Sequence, residues 1–158
     1  MLNSLLQHEF WLSLEYLPLA EQIGATWLFP LVNSLHVLSI CFMLGALLML
    51  DLRIAGLSAT RYSIPQLEHD FLALIWMAFI LAVLTGSALF ITRASAHILN
   101  PAFQMKILLM LIAGINMALF HWFSRAGRHS RFVAASGLLS LLLWCGVMLA
   151  GRWMGHII

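Results

Sequence analysis

Charge is what this sequence has least of. Lys and Arg together number 8 and Asp and Glu 6 in 158 residues. Charged residues are thus 9% of the chain, where soluble domains carry about a quarter. The net charge of +2 is too small to argue for a nucleic-acid partner, and the few cations read instead as markers of membrane topology. Cysteine is scarce as well. Cys41 and Cys145 both fall in apolar stretches, where they read as buried small hydrophobes and not as a disulfide or a metal pair. The N-terminal MLNSLLQHEFW has neither a basic n-region nor a small-residue cleavage site ahead of its first acids, so no cleaved signal peptide is expected.

What fills the space is hydrocarbon. Hydrophobic residues make up 63% of the chain and the mean hydropathy is +0.97. From Ile23 to Leu50 no Asp, Glu, Lys or Arg occurs. Such a run exceeds the roughly 20 residues a helix needs to cross a bilayer. Three more runs follow, giving spans of about 27–50, 71–91, 101–123 and 132–151 within a single domain, 1–158. Asn100 followed by Pro101 is a good start for the third span, with Asn as cap and Pro at the first helical position. Asp51 to Asp70, with Arg53, Arg61, Glu68 and His69, reads as the loop between spans one and two, Pro65 preventing helix continuation there. Residues 3–17 read as a short helix lying at the interface, with Trp11 and Tyr16 at headgroup level and Pro18 breaking it. The fold class is all-α: an integral membrane antiparallel four-helix bundle with a short N-terminal interfacial helix.

The loops orient it. Those after spans one and three hold Arg53, Arg61, Arg125, Arg128 and Arg131, against Arg93, Lys106 and Arg152 on the opposite side. By the positive-inside bias, both termini are periplasmic in a bacterial inner membrane.

Alternating direction also sets depths. His36 lies about eight residues into span one, roughly 12 Å from the entry face at 1.5 Å per residue. Lys106 enters span three from the same side, about five residues deep. Spans two and four return toward that face, bringing Thr85, Gly86, Trp144, Cys145 and Gly146 to a similar level. An ionisable group inside a span is a functional candidate by default. This layer is therefore the candidate site: His36 as a metal or heme-iron ligand, with Asn33 beside it; Lys106 and Arg93 as cations for carboxylates; Gly86 for close approach; Trp144 as a wall; and His97 above it as a second ligand. A compact metal site needs three or four ligands, whereas heme needs one or two, a flat apolar cleft and a cation, so heme b matches this layer better. Asp51, Arg53, His69, Asp70, His121 and Arg125 form a second layer at the opposite face. They read as boundary charges, Asp51 and Arg53 pairing or anchoring to headgroups, and His69 and His121 at one depth.

NSLHVLSICFMLGALLMLDLRIAGL resembles the first helix of small bacterial membrane proteins in which a His precedes a Gly-containing apolar run and an Asp/Pro-Leu-Arg end. NPAFQMKILLMLIAGINMALFHW is similar to the Lys-bearing helix of copper-resistance D-type proteins and of the membrane-bound J-type protoporphyrinogen oxidase, and TGSALF resembles the Thr-Gly stretch between those helices. LSLLLWCGVMLAGRWMG resembles the last helix of an uncharacterised four-span bacterial family, a likeness covering nearly the whole chain. The oxidase resemblance implies heme b with His36 and Lys106 essential. The chain lacks that oxidase's Trp-Met before the helix-one Gly and its Leu-Pro-Arg, so the cofactor alone is carried over. The expected function is electron transfer or redox chemistry, as a membrane oxidoreductase or its electron-transfer subunit, with quinone or a periplasmic redox protein as partner and a homo-oligomer left open. The alternatives are copper or metal transport or resistance without heme, and a non-catalytic membrane anchor or assembly subunit.

Overall fold

The structure is a computed structural model and describes residues 2–57, 61–125 and 131–156. Among these residues there are helices and no strands: α1 (Leu2–Glu15), α2 (Pro18–Ala25), α3 (Leu28–Ile54), α4 (Ile64–Ile91), α5 (Ala94–Leu99), α6 (Pro101–Arg125) and α7 (Arg131–Trp153), closed by a 3₁₀ turn at Met154–His156. Arg128, and the side chains of His121, Arg125 and Arg131 named above, lie outside the described residues. Four helices are long and apolar enough to cross a membrane, over Leu28–Ile54, Pro65–Ile91, Pro101–Leu119 and Ala135–His156. The chain is an all-α four-helix membrane bundle.

Its packing is that of a protein solvated by lipid. Large side chains such as Leu142, Leu149, Leu84 and Leu111 are more than half exposed, while Ala46, Ala78, Ala82, Ala102 and Ala113 are buried. In hydrocarbon there is no gain in hiding leucine, so helix contacts favour small residues that let backbones approach. The main buried cluster, Met43, Ala46, Leu47, Leu50 and Ile54 against Leu67, Ile75 and Ala78, binds α3 to α4. Helix α6 pairs with α7, and α3 packs on α7; among the described residues α4 and α6 share no comparable contact. The four spans therefore stand in the order α4, α3, α7, α6, and α4 meets α6 at the His97 end, where the rings of Phe90 and Phe103 stack at 5.3 Å. Cys41 and Cys145, expected to be buried, are exposed on this outer surface, because neither lies on an inward helical stripe.

Three boundaries differ from the sequence expectation, each for a local reason. Pro65 starts a helix: Ser63 caps α4 by accepting from the Gln66 N–H at 3.3 Å, and the proline takes the first turn, where its missing N–H costs nothing. Glu68, His69 and Asp70 consequently lie on α4 and not in a loop. Helix α3 runs past Leu50 to Ile54 and closes on Gly56, at φ 75°, with Leu57 N–H bonding Leu52 O at 2.9 Å and Gly56 N–H bonding Arg53 O at 3.1 Å. This is the Schellman arrangement that a left-handed glycine permits. The connection after α4 is itself helical, as α5.

At the end where α1, α2 and α5 gather, Asn100 makes the expected cap. Its Oδ1 accepts from the N–H of Ala102 at 2.9 Å and of Phe103 at 3.4 Å, while its Nδ2 donates to Met154 O at 3.1 Å. The start of α6 is thereby joined to the end of α7. Helix α1 is held over the same end by Glu15, whose Oε1 accepts from the N–H and the hydroxyl of Ser95 at 2.8 and 2.6 Å.

Candidate functional site

The inward stripe of α3 runs through Ser39, Met43, Ala46 and Leu50, all buried, and one step earlier at this helical spacing comes His36. Its ring meets α4. His36 Nδ1 lies 3.0 Å from Thr85 Oγ1, and that hydroxyl is 2.6 Å from Leu81 O. A threonine hydroxyl has one proton, and the short contact to the helix carbonyl takes it. The oxygen's remaining capacity is as acceptor, so His36 Nδ1 is the N–H donor, with the nearby Ala82 carbonyl as a second acceptor for the ring, and in the neutral ring Nε2 carries the lone pair. A hydrogen bond from one ring nitrogen that fixes the tautomer and aims the other is the usual outer support of a metal-binding imidazole. The expected role of Gly86 is also visible: a Cβ there would stand 2.9 Å from His36 Cε1. The ring is laid flat on the α4 backbone, and only glycine leaves room for it.

Lys106, on α6, reaches α7. Its Nζ is 3.7 Å from the position a Cβ would take on Gly151, and it is near enough to His36 and His97 for its charge to act on both. Among the described residues it has no carboxylate partner; the one ion pair there is His69 Nδ1 to Asp70 Oδ1, 3.3 Å, exposed at the far end. His97 completes the group from above. Its ring forms a triangle with those of Phe90 and Phe103, with centroids at 6.1 and 6.0 Å from it and 5.3 Å from each other, and Trp11 meets Phe90 edge-on at 5.8 Å. His97 Nδ1 is buried and has no hydrogen-bond partner among the described residues. Burial first, then the charges of Arg93 and Lys106, hold His97 below its usual pKa of 6.5, with Glu15 pulling the other way.

The structure thus brings His36, Gly86, Lys106 and His97 to one end of the bundle and leaves other expected members elsewhere. Asn33 is exposed and does not support His36; Thr85 does. Arg93 is exposed at the start of α5 and acts on His97 through its charge. Trp144 packs against the α3–α4 cluster and lines a cavity beside Asp51, so it does not wall the His36 layer. Gly146 faces Leu109, and Gly151, a turn further on, is the α7 residue beside Lys106.

The far layer is not a simple water boundary. Arg53 does not pair with Asp51, because its Nε donates to Tyr62 O at 2.6 Å. Asp51 turns inward instead and is only 5% exposed. Sequence reasoning missed this, although the stripe Leu47, Leu50, Ile54 passes directly beside it. His69 is 90% exposed, so it points away from the bundle.

No family model matches the chain, and no curated protein or solved structure does either. Among the described residues no three His, Cys, Asp or Glu side chains gather closely enough to hold a metal ion.

Proposed function

We propose that this is a bacterial inner-membrane protein that binds heme b at its His36 end and serves electron transfer, between a periplasmic or small-molecule donor and quinone. One observation carries the reading: His36 is held through Nδ1 by Thr85, leaving Nε2 free as a ligand beside a lysine that has no counter-anion among the described residues. That donor set suits heme. One or two imidazoles satisfy its iron, and a membrane-embedded cation suits a propionate. His97, with its buried and unpartnered Nδ1, is the candidate second ligand. Bound there, heme supplies a one-electron carrier; the chain supplies ligand orientation through Thr85 and Gly86, the cation of Lys106, and an aromatic cover from Trp11, Phe90 and Phe103. The copper-transport alternative needs a third soft or imidazole ligand near His36, and the described residues provide none. The likeness of the α6 sequence to the Lys-bearing helix of the J-type oxidase points the same way.

The test is the absorption spectrum of the detergent-purified protein from heme-replete cells. A Soret band that is lost in His36→Ala and weakened in Lys106→Met is expected. Absence of the band, together with failure of the apoprotein to take up added hemin, overturns the reading.

A further inference from the structure

Asp51 is the one buried acid among the described residues, and it sits within a span, where a lone carboxylate is strongly disfavoured. The hydroxyl of Ser140, on α7, hydrogen-bonds its carboxyl group. Its Oδ2 is buried and has no partner among the described residues. Beside it lies a cavity of about 30 Å³ lined by Asn116, Ser136, Ser140 and Trp144 along with apolar residues of α3 and α4. Asn116 and Ser136 are tied to each other, Asn116 Nδ2 donating to Ser136 O at 3.1 Å and Ser136 Oγ to Asn116 Oδ1 at 3.2 Å. The polar lining is therefore preformed.

We infer that this cavity is a site for a sodium-sized monovalent cation, held by Asp51 and by the neutral oxygens of Ser140, Ser136 and Asn116. The chemistry of the lining selects the class. Every named acceptor is oxygen, the donor set of hard cations. A single carboxylate balances a single positive charge and leaves a divalent ion uncompensated. The volume admits about two water-sized bodies, an ion with one water. A protonated Asp51 beside a water in the same cavity is the competing arrangement, and the infrared measurement below separates the two. The site stands in the leaflet opposite His36, 15 residues along α3 or roughly 22 Å, and does not depend on the heme reading.

The full-length protein in detergent tests it, through thermal unfolding at one ionic strength in sodium, potassium or choline chloride. Saturable stabilisation by sodium beyond that by potassium or choline is expected, with Asp51→Asn removing the sodium response and Ser140→Ala raising the half-saturating concentration about tenfold, the loss of one good ligand. Equal unfolding temperatures of the native chain in the three salts overturn the site. Should Asp51→Asn fail to fold, Ser140→Ala and Ser136→Ala decide, and an unchanged sodium midpoint in both overturns it. Infrared spectra separate the proton: a carboxylic-acid band that is assigned through Asp51→Asn and persists at saturating sodium shows a protonated Asp51 and overturns the cation site.

Discussion

His36 and Thr85 form a side-chain hydrogen bond between the first two spans, at 3.0 Å and 49 residues apart in sequence. Because the threonine hydroxyl is already committed to Leu81 O, Thr85→Val removes an acceptor without altering shape and leaves the half-buried N–H with the Ala82 carbonyl alone, at a cost of about 1 kcal/mol. Thr85→Val should lower the unfolding temperature in detergent and, under the heme reading, cut heme content. Thr85→Ser should restore both. A valine variant equal to the native chain in stability and spectrum would refute the tautomer argued for His36.

Helix α3 meets α7 as closely as backbone allows. A Cβ on Gly137 would lie 2.8 Å from Asp51 O and 3.0 Å from Ile54 Cγ2. The nearer atom is main chain and cannot swing aside, so Gly137→Ala must part the helices. A loss of about 1–3 kcal/mol is expected from such overpacking. Gly114→Ala, inside α6 where nothing lies within 4 Å of the added carbon, is the control and should leave the unfolding transition in place or raise it, since alanine is the better helix former.

His97 makes stability fall with acid. Its folded-state pKa lies below the ordinary 6.5, chiefly through burial, so the unfolded chain binds the proton more readily than the folded one. Stability from this group is fully present above pH 6.5, declines as pH falls below that value, and levels off once the folded-state pKa has been crossed. Unfolding temperatures taken from pH 8 to 5 should show the decline, and His97→Phe, which keeps the aromatic stack, should flatten it. An equally steep decline in the phenylalanine variant would assign the effect to other groups.

The arginine bias predicts the orientation, since five arginines belong to the loops after spans one and three or their flanks. A periplasm-active reporter fused at the C-terminus should be active and one fused at residue 130 inactive. The reverse pattern would invert the molecule while leaving the grouping of His36, Lys106 and His97 intact.

The four spans were legible because length and hydropathy alone decide them. The depth of the His36 group was legible because alternating helices convert sequence position into height. Azimuth was not. Trp144 lies seven residues from Gly137, which touches Asp51, and seven from Gly151, which neighbours Lys106, so on the last span the height was misjudged along with the face, and Cys145, its neighbour, faces outward. Thr85 was visible as a residue of the layer but not as the partner of His36, since no spacing rule links residues on different helices. Asp51 was misread because an acid near a helix end ordinarily meets water. The signals that correct it lie in combination: its position among Leu47, Leu50 and Ile54, and the small polar face of Ser136, Gly137 and Ser140 on the last span.

Asn100 acts as a latch between two spans. One amide both starts α6, through its oxygen, and grips Met154 at the end of α7, through its nitrogen. An axial slide of α7 against α6 would pull that amide from one of its two duties, so Lys106 and Gly151 keep a fixed relative height. Any motion between this pair must then be a splaying that pivots on the Asn100 end. Its largest excursion would fall at the opposite mouth, where Asn116 and Ser136 are the side chains that join the same two helices.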